Sequence, residues 1–198
     1  MANNIDTAIK VKAVALDFDG VITNLDIDWN AAIRQASSIV GHDIKSLITF
    51  YENNFGTPIF QKVSTEMEKI ELDALRKAQA SPFIGEFLQK LSEKQVEVYI
   101  VSMQSFNVIK KFLEQHGLTG YFKGIIAREK CPSKKAQVEC ISKETRSSLN
   151  QILLVDDSKR NISNCKELGL VCFYFQRKQS SKETREAWNK ILNLLGAT

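Results

Sequence analysis

The stretch Val11-Lys12-Ala13-Val14-Ala15-Leu16-Asp17-Phe18-Asp19-Gly20-Val21-Ile22-Thr23 organises the reading of this chain. Its first seven residues are short and apolar and break soon afterwards at Gly20, the pattern of a buried strand. Four further runs have the same character: Val96 to Val101, ending at Ser102; Gly124 to Ala127; Gln151 to Val155, ending at Asp156-Asp157; and Leu170 to Phe175. Helical patterns lie between them. Ser81-Pro82 reads as the cap and first-turn proline of one helix, with Phe83, Phe87, Leu88 and Leu91 on a single face. Ser105 and Ser133 read as caps of the next two, and Gly117 and Gly169 as helix stops. Ile162, Cys165 and Leu168 mark a fourth helix, and Trp188, Ile191, Leu192 and Leu195 a last one. Strands alternating with helices predict an α/β fold with a doubly wound, parallel, five-stranded sheet.

Residues 24–80 break that rhythm and contain no convincing strand. Trp29, Ala32, Ile33, Ala36, Ile39 and Val40 share a helical face. Ile44, Leu47, Ile48 and Tyr51 share another, and Phe60, Val63, Met67, Ile70 and Ala74 a third. The expectation is a small helical unit inserted between the first two strands, joined near Ile22–Leu25 and Ala78–Pro82. Its own core would contain Ile33, Ile48, Phe60, Val63 and Met67. Residues 1–23 and 81–198 would form the main domain. Trp29, Phe55 and Phe60 read as core of the insertion, and His42 as exposed loop.

Composition narrows the class. The chain has 198 residues, 43% hydrophobic and 25% charged, ordinary values for a globular protein and far from a disordered or disulfide-stapled one. No stretch approaches the roughly 18 apolar residues of a membrane span, and Met1 to Asp6 lacks the basic start of a signal peptide. A cytoplasmic protein, monomer or homodimer, without membrane partners is expected. Net charge is +4, from 27 basic and 23 acidic residues. That excess is spread over short runs, Lys110-Lys111, Lys134-Lys135 and Arg177-Lys178, which read as solvated surface, so no nucleic-acid partner is expected. Cys131, Cys140, Cys165 and Cys172 show no metal-binding spacing and read as free, mostly core-filling thiols.

In an open parallel sheet, ligands bind beyond the carboxyl ends of the strands. The residues just past those ends are Asp17 and Asp19, Ser102, Asp156-Asp157, and the Lys134-Lys135 pair before its helix. A turn would account for Asp17 and Asp19 alone, and caps would account for Ser102 or Asp156-Asp157 alone. Together they bring four acids, a hydroxyl and a cation to one edge. Clustered carboxylates need a counter-charge, and oxygen-only ligands favour a hard cation such as Mg2+. A site with Mg2+, a lysine and hydroxyl donors suits a phosphate.

Four motifs in this order resemble the haloacid dehalogenase superfamily of phosphohydrolases: Asp17-Phe18-Asp19-Gly20-Val21, Ile100-Val101-Ser102, Ser133-Lys134-Lys135-Ala136, and Leu153-Leu154-Val155-Asp156-Asp157-Ser158 followed by Asn161. The resemblance implies Asp17 as nucleophile, forming an aspartyl-phosphate, and Asp19 as general acid and then base. It implies Mg2+ held by the Asp17 side chain, the Asp19 carbonyl and the Asp157 side chain. Ser102, Lys134 and Gly20 would contact the phosphoryl group. Only one of Lys134 and Lys135 can face the site, and Lys134 is preferred because that lysine opens its helix. Asp156 is assigned to holding the lysine or a water. Asn161 is left between contact with a metal-bound water and a helix cap.

The 85 residues from Asp17 to Ser102 exceed what one crossover helix needs. The surplus resembles the family's helical cap after the first motif, as in phosphoglycolate phosphatase-like and beta-phosphoglucomutase-like members. Asn24-Leu25 departs from the acid-serine pair common there. The resemblance also implies that dehalogenation is not the activity, because the family's dehalogenases, whose halide needs no proton, lack an acid at the position of Asp19. The expected activity is Mg2+-dependent hydrolysis of a small phosphorylated metabolite. The alternatives are a phosphomutase, a phosphonatase, or a non-catalytic phosphate-binding protein. Arg34, His42, Tyr51, Asn53, Asn54 and Lys62 are the cap residues proposed to read the leaving group.

Overall fold

The computed structural model describes residues 11–177 and 180–196. The N-terminal stretch and Lys178 lie outside them. The five expected strands form: β1 (Ala13–Leu16), β2 (Glu97–Val101), β3 (Gly124–Ile126), β4 (Ile152–Asp156) and β5 (Val171–Tyr174). They make one sheet in the order β3-β2-β1-β4-β5, and every pairing is parallel. The order reverses at β1, so β1 lies centrally with Asp17 just past its carboxyl end, at the switch point where such sheets bind ligands.

Both faces of the sheet are covered, which explains the continuous apolar character of the strands. Val14, Leu16, Val98, Ile100, Leu153 and Val155 point to one face and pack on α4 (Ile84–Glu93), α5 (Phe106–Gln115) and α8 (Ser181–Leu194). Ala13, Ala15, Tyr99, Val101, Ile152 and Leu154 alternate to the other face, against α6 (Lys134–Thr145) and α7 (Lys159–Lys166). The expected caps form at α5 and α6: Ser105 Oγ accepts from the Val108 N–H at 3.2 Å, and Ser133 Oγ from the Ala136 N–H at 3.3 Å. The start of α4 differs from the expectation. It begins at Ile84, after Phe83 in a left-handed conformation, φ 64°, with no side-chain cap. Ser81 and Pro82 are used elsewhere: the Ser81 N–H donates to the Ile22 carbonyl at 2.7 Å, and the Pro82 carbonyl accepts from Trp188 Nε1 at 3.1 Å.

The inserted segment folds as three helices, α1 (Trp29–Val40), α2 (Leu47–Asn54) and α3 (Pro58–Leu75). Ala32, Ala36, Leu47, Phe50, Tyr51, Phe60, Val63 and Met67 form a separate apolar cluster, with Ile33 partly buried against it. Ile48 lies outside that cluster and lines the cleft below the helices; Phe55 is 37% exposed. The two connections run side by side: Thr23 bridges Ala80, and Thr23 Oγ1 donates to the Gln79 carbonyl at 2.9 Å. The C-terminal end of α3, through Leu72 and Leu75, joins the main apolar cluster. A buried ion pair adds to the seam. Arg128, after β3, meets Glu71 of α3 at 2.6 Å, with both side chains almost fully buried. Among the described residues, no helix is long and apolar enough to cross a membrane.

Candidate active site

The chain leaves β1 and turns sharply. The Phe18 ring is fully buried and meets Phe112 edge-on at 5.2 Å. The Phe18 carbonyl accepts from the Ile22 and Thr23 N–H groups at 3.0 and 3.1 Å. That turn places Asp17 and Asp19 at the floor of a cleft of about 300 Å³ between the sheet edge and the inserted helices. Gly20 is at φ +92°, and a Cβ there would stand 2.2 Å from an Asp157 carboxylate oxygen. Its absent side chain is what lets Asp157 approach. The Gly20 N–H donates to the Thr23 carbonyl at 2.7 Å, so Gly20 makes room for a carboxylate while its amide is spent within the turn.

Lys134 opens α6 and is buried. Its ammonium reaches Asp17 at 3.0 Å, Asp156 at 3.2 Å and the Val101 carbonyl at 2.6 Å, which employs all three donors. Burial pulls this lysine down, and Asp17 with Asp156 outweighs it, leaving the pKa raised. Lys135 points away, 3.7 Å from Glu167. Burial holds Asp17 well above the usual carboxylate range despite Lys134, and the charges of Asp156 and Asp157 push the same way. Burial also pushes Asp157 up to about 6, against the opposing charge of Arg177.

Asp156 is braced on every side. It takes Lys134, the Ser158 N–H at 2.8 Å and the Asn161 amide at 3.1 and 3.2 Å. Asn161 therefore does not cap α7, which Ser158 does; its amide steadies Asp156 at the edge of the cleft. Ser102, fully buried after β2, donates its hydroxyl to Gln104 Oε1, and it is Met103 and Gln104 that line the cleft.

Carboxylate oxygens of Asp17, Asp156 and Asp157 lie within 4.8 Å of one another. Three acids share Lys134 and one edge of Arg177, an excess of negative charge in an oxygen-only donor set. That chemistry fits a hard divalent cation. The Asp19 side chain is outside this cluster: Asp19 Oδ1 accepts from the Leu25 N–H at 2.7 Å and from Arg177 Nη2 at 2.6 Å.

Arg177 is the residue that the reading as solvated surface missed. It lies just past β5, touching Asp157 at 3.2 Å and Asp19 at 2.6 Å, while Asn24 accepts from its Nε at 2.8 Å. The signal was available, since the carboxyl end of the fifth strand belongs to the same edge as the other four. Of the cap candidates, Tyr51 alone lines the cleft. Arg34, His42, Asn53 and Lys62 are exposed, and Asn54 donates to the Phe50 carbonyl within its own helix. The cleft wall is instead mostly apolar, and it includes Trp29, which packs against the cap core as the periodicity expects and also lines the cleft.

This sheet order, with acids at the ends of β1 and β4 around a buried lysine, was compared with known proteins. The family model for haloacid dehalogenase-like hydrolases matches residues 14–175. The chain belongs to that family and is an enzyme of the hydrolase class. A phosphoglycolate phosphatase of Vibrio cholerae is 25% identical over 190 residues, covering 83% of each chain. Among solved structures, a predicted phosphoglycolate phosphatase from Haemophilus somnus superposes with TM-score 0.65 at 15% identity, covering 93% of this chain and 98% of that one. CbbY from Rhodobacter sphaeroides, solved in complex with phosphate, superposes with TM-score 0.61 at 13% identity, covering 86% and 90%.

Proposed function

We propose that the protein is a Mg2+-dependent phosphatase that hydrolyses a small phosphomonoester through an aspartyl-phosphate on Asp17. The observation that carries this reading is the buried Asp17 carboxylate, held 3.0 Å from Lys134 on the cleft floor beside the Asp156 and Asp157 oxygens. One Asp17 oxygen, Oδ1, is occupied by Lys134 and by the Phe18 N–H at 2.7 Å. The other is the nucleophile: it forms the bond to phosphorus as the ester oxygen departs. Asp19, aimed by Leu25 and Arg177, gives its proton to the leaving oxygen. It then takes a proton from the water that attacks phosphorus and frees phosphate from Asp17. Asp17, Asp157 and the Asp19 carbonyl would hold Mg2+, with Asp156 nearby. The bound ion supplies the positive charge that lets a carboxylate approach an anionic phosphoryl group. Lys134 offsets the charge of Asp17 throughout, and Ser102 reaches the phosphoryl group by exchanging its bond to Gln104. In this reading residues 1–23 and 81–198 are the catalytic domain and residues 24–80 the cap that excludes water.

The test is phosphate release from p-nitrophenyl phosphate. Activity should require Mg2+, vanish with EDTA and return on adding Mg2+. Asp17→Asn should lower turnover by on the order of a thousandfold or more with an unchanged circular dichroism spectrum. Full activity in verified metal-free protein, or near wild-type turnover in Asp17→Asn, would overturn the proposal.

A further inference from the structure

The cleft is charged at its floor and apolar above it. Trp29 and Ile33 of α1, Leu47, Ile48 and Tyr51 of α2, and Met103 past β2 make up most of the upper wall. Glu71 also reaches the cleft, but it is neutralised from behind by Arg128 at 2.6 Å, and both side chains are buried. Arg177 belongs to the floor, where its guanidinium is committed to Asp19, Asp157 and Asn24. Among the described residues, Lys45 is then the remaining cation on the cleft, and it is exposed rather than enclosed. A carboxylate carried on the leaving group would meet mainly apolar side chains, with Ser46, Gln104 and the Tyr51 hydroxyl as uncharged polar neighbours and Glu71 already committed to Arg128. Burying a charge without a paired partner is costly. An uncharged carbon body would bury apolar surface at no such cost.

We propose that the substrate is a phosphomonoester of a neutral alcohol with a compact apolar body, rather than of a small hydroxy acid. The inference rests on the phosphatase reading above and narrows it to one class of leaving group. The volume of about 300 Å³ lies at the small end for ligand sites, so the alcohol is compact. This separates the chain from the substrate specified by the name of its Vibrio cholerae relative.

The experiment compares kcat/KM for cyclohexylmethyl phosphate, butyl phosphate and 2-phosphoglycolate on the full chain with Mg2+. Alongside, it follows exchange of oxygen-18 from water into inorganic phosphate, which needs the floor of the site and no leaving group. Cyclohexylmethyl phosphate should exceed phosphoglycolate by at least about tenfold, the discrimination of one well-buried methylene. In Ile48→Asp that ratio should fall at least about fivefold. A ratio is insensitive to any general loss of active protein. Phosphoglycolate turned over as well as or better than the neutral esters, with exchange intact, would overturn this inference and leave the phosphatase reading standing. Absence of both exchange and turnover of every ester would sink the phosphatase reading, and this inference with it.

Discussion

Replacing Arg128 by methionine should remove a large part of the stability of this protein. The side chain is fully buried and spends its donors on one seam: Nε on Ser64 Oγ at 2.8 Å, Nη1 on Glu71 at 2.6 Å and the Met103 carbonyl at 3.1 Å, and Nη2 on the Ser64 carbonyl at 2.9 Å. Methionine fills most of the volume and satisfies none of these acceptors. Glu71, 2% exposed, keeps one partner, the Ser105 N–H at 3.1 Å. Removing one member of a buried pair costs about 3–5 kcal/mol, because the remaining charge stays desolvated. A domain of this size loses roughly 2–4 °C of Tm per kcal/mol, so scanning calorimetry should record a drop of about 6–20 °C. A second variant isolates the cause. Glu71→Leu combined with Arg128→Met removes both charges of this pair and should recover at least about half of the loss. Because the pair ties α3 to the ends of β2 and β3, amide exchange in α3 should accelerate in the single variant more than in the sheet. A single-variant loss below about 3 °C, or a double variant no better than the single, would refute the view that this pair holds the cap seam.

Three further outcomes follow from the site. Gly20→Ala places a Cβ within 2.2 Å of Asp157 at φ +92°, so Mg2+ or Mn2+ affinity measured by calorimetry should weaken at least about tenfold. Gly41→Ala, at φ +84° with open space around it, should cost about 1 kcal/mol of stability and leave metal affinity unchanged; equal effects in the two would count against the Asp157 contact. Arg177→Gln removes the partner that aims Asp19, so kcat should fall about tenfold or more with KM little changed, and a pure KM effect would assign Arg177 to substrate binding instead. Asp157 is raised from 3.8 to about 6. A raised group favours the protonated folded state, so its contribution is complete below about pH 4 and is lost as pH rises through 6. Metal-free protein should therefore lose up to about 3 kcal/mol from this group between pH 4 and 7, seen by urea denaturation, and saturating Mg2+ should abolish that slope.

The sequence alone determined the sheet and most of its covering helices, because those depend on local periodicity. Alternating strands and amphipathic helices are written every two or 3.6 residues, and caps such as Ser105 and Ser133 act within three residues of themselves. The positions of Asp17, Asp19, Lys134, Asp156 and Asp157 were legible for a related reason: each follows a strand end or opens a helix, and parallel strands bring those ends to one edge. Ser81-Pro82 misled because a cap competes with tertiary partners, and here Ile22 and Trp188 claim both residues.

Only the tertiary structure decided which groups share an environment. Arg177 stands 158 residues from Asp19 in sequence, and Arg128 stands 57 from Glu71; no local pattern encodes such pairs. The direction of the cap helices was equally out of reach. Beside Ala32 and Ala36, buried in the cap core, Trp29 and Ile33 pack against that core and also line the cleft, and periodicity cannot tell an apolar residue facing a core from one facing a substrate. Both carry the same apolar spacing in the sequence. What distinguishes them is the empty volume beside one of them, and that volume exists only once the cap has closed over the edge of the sheet.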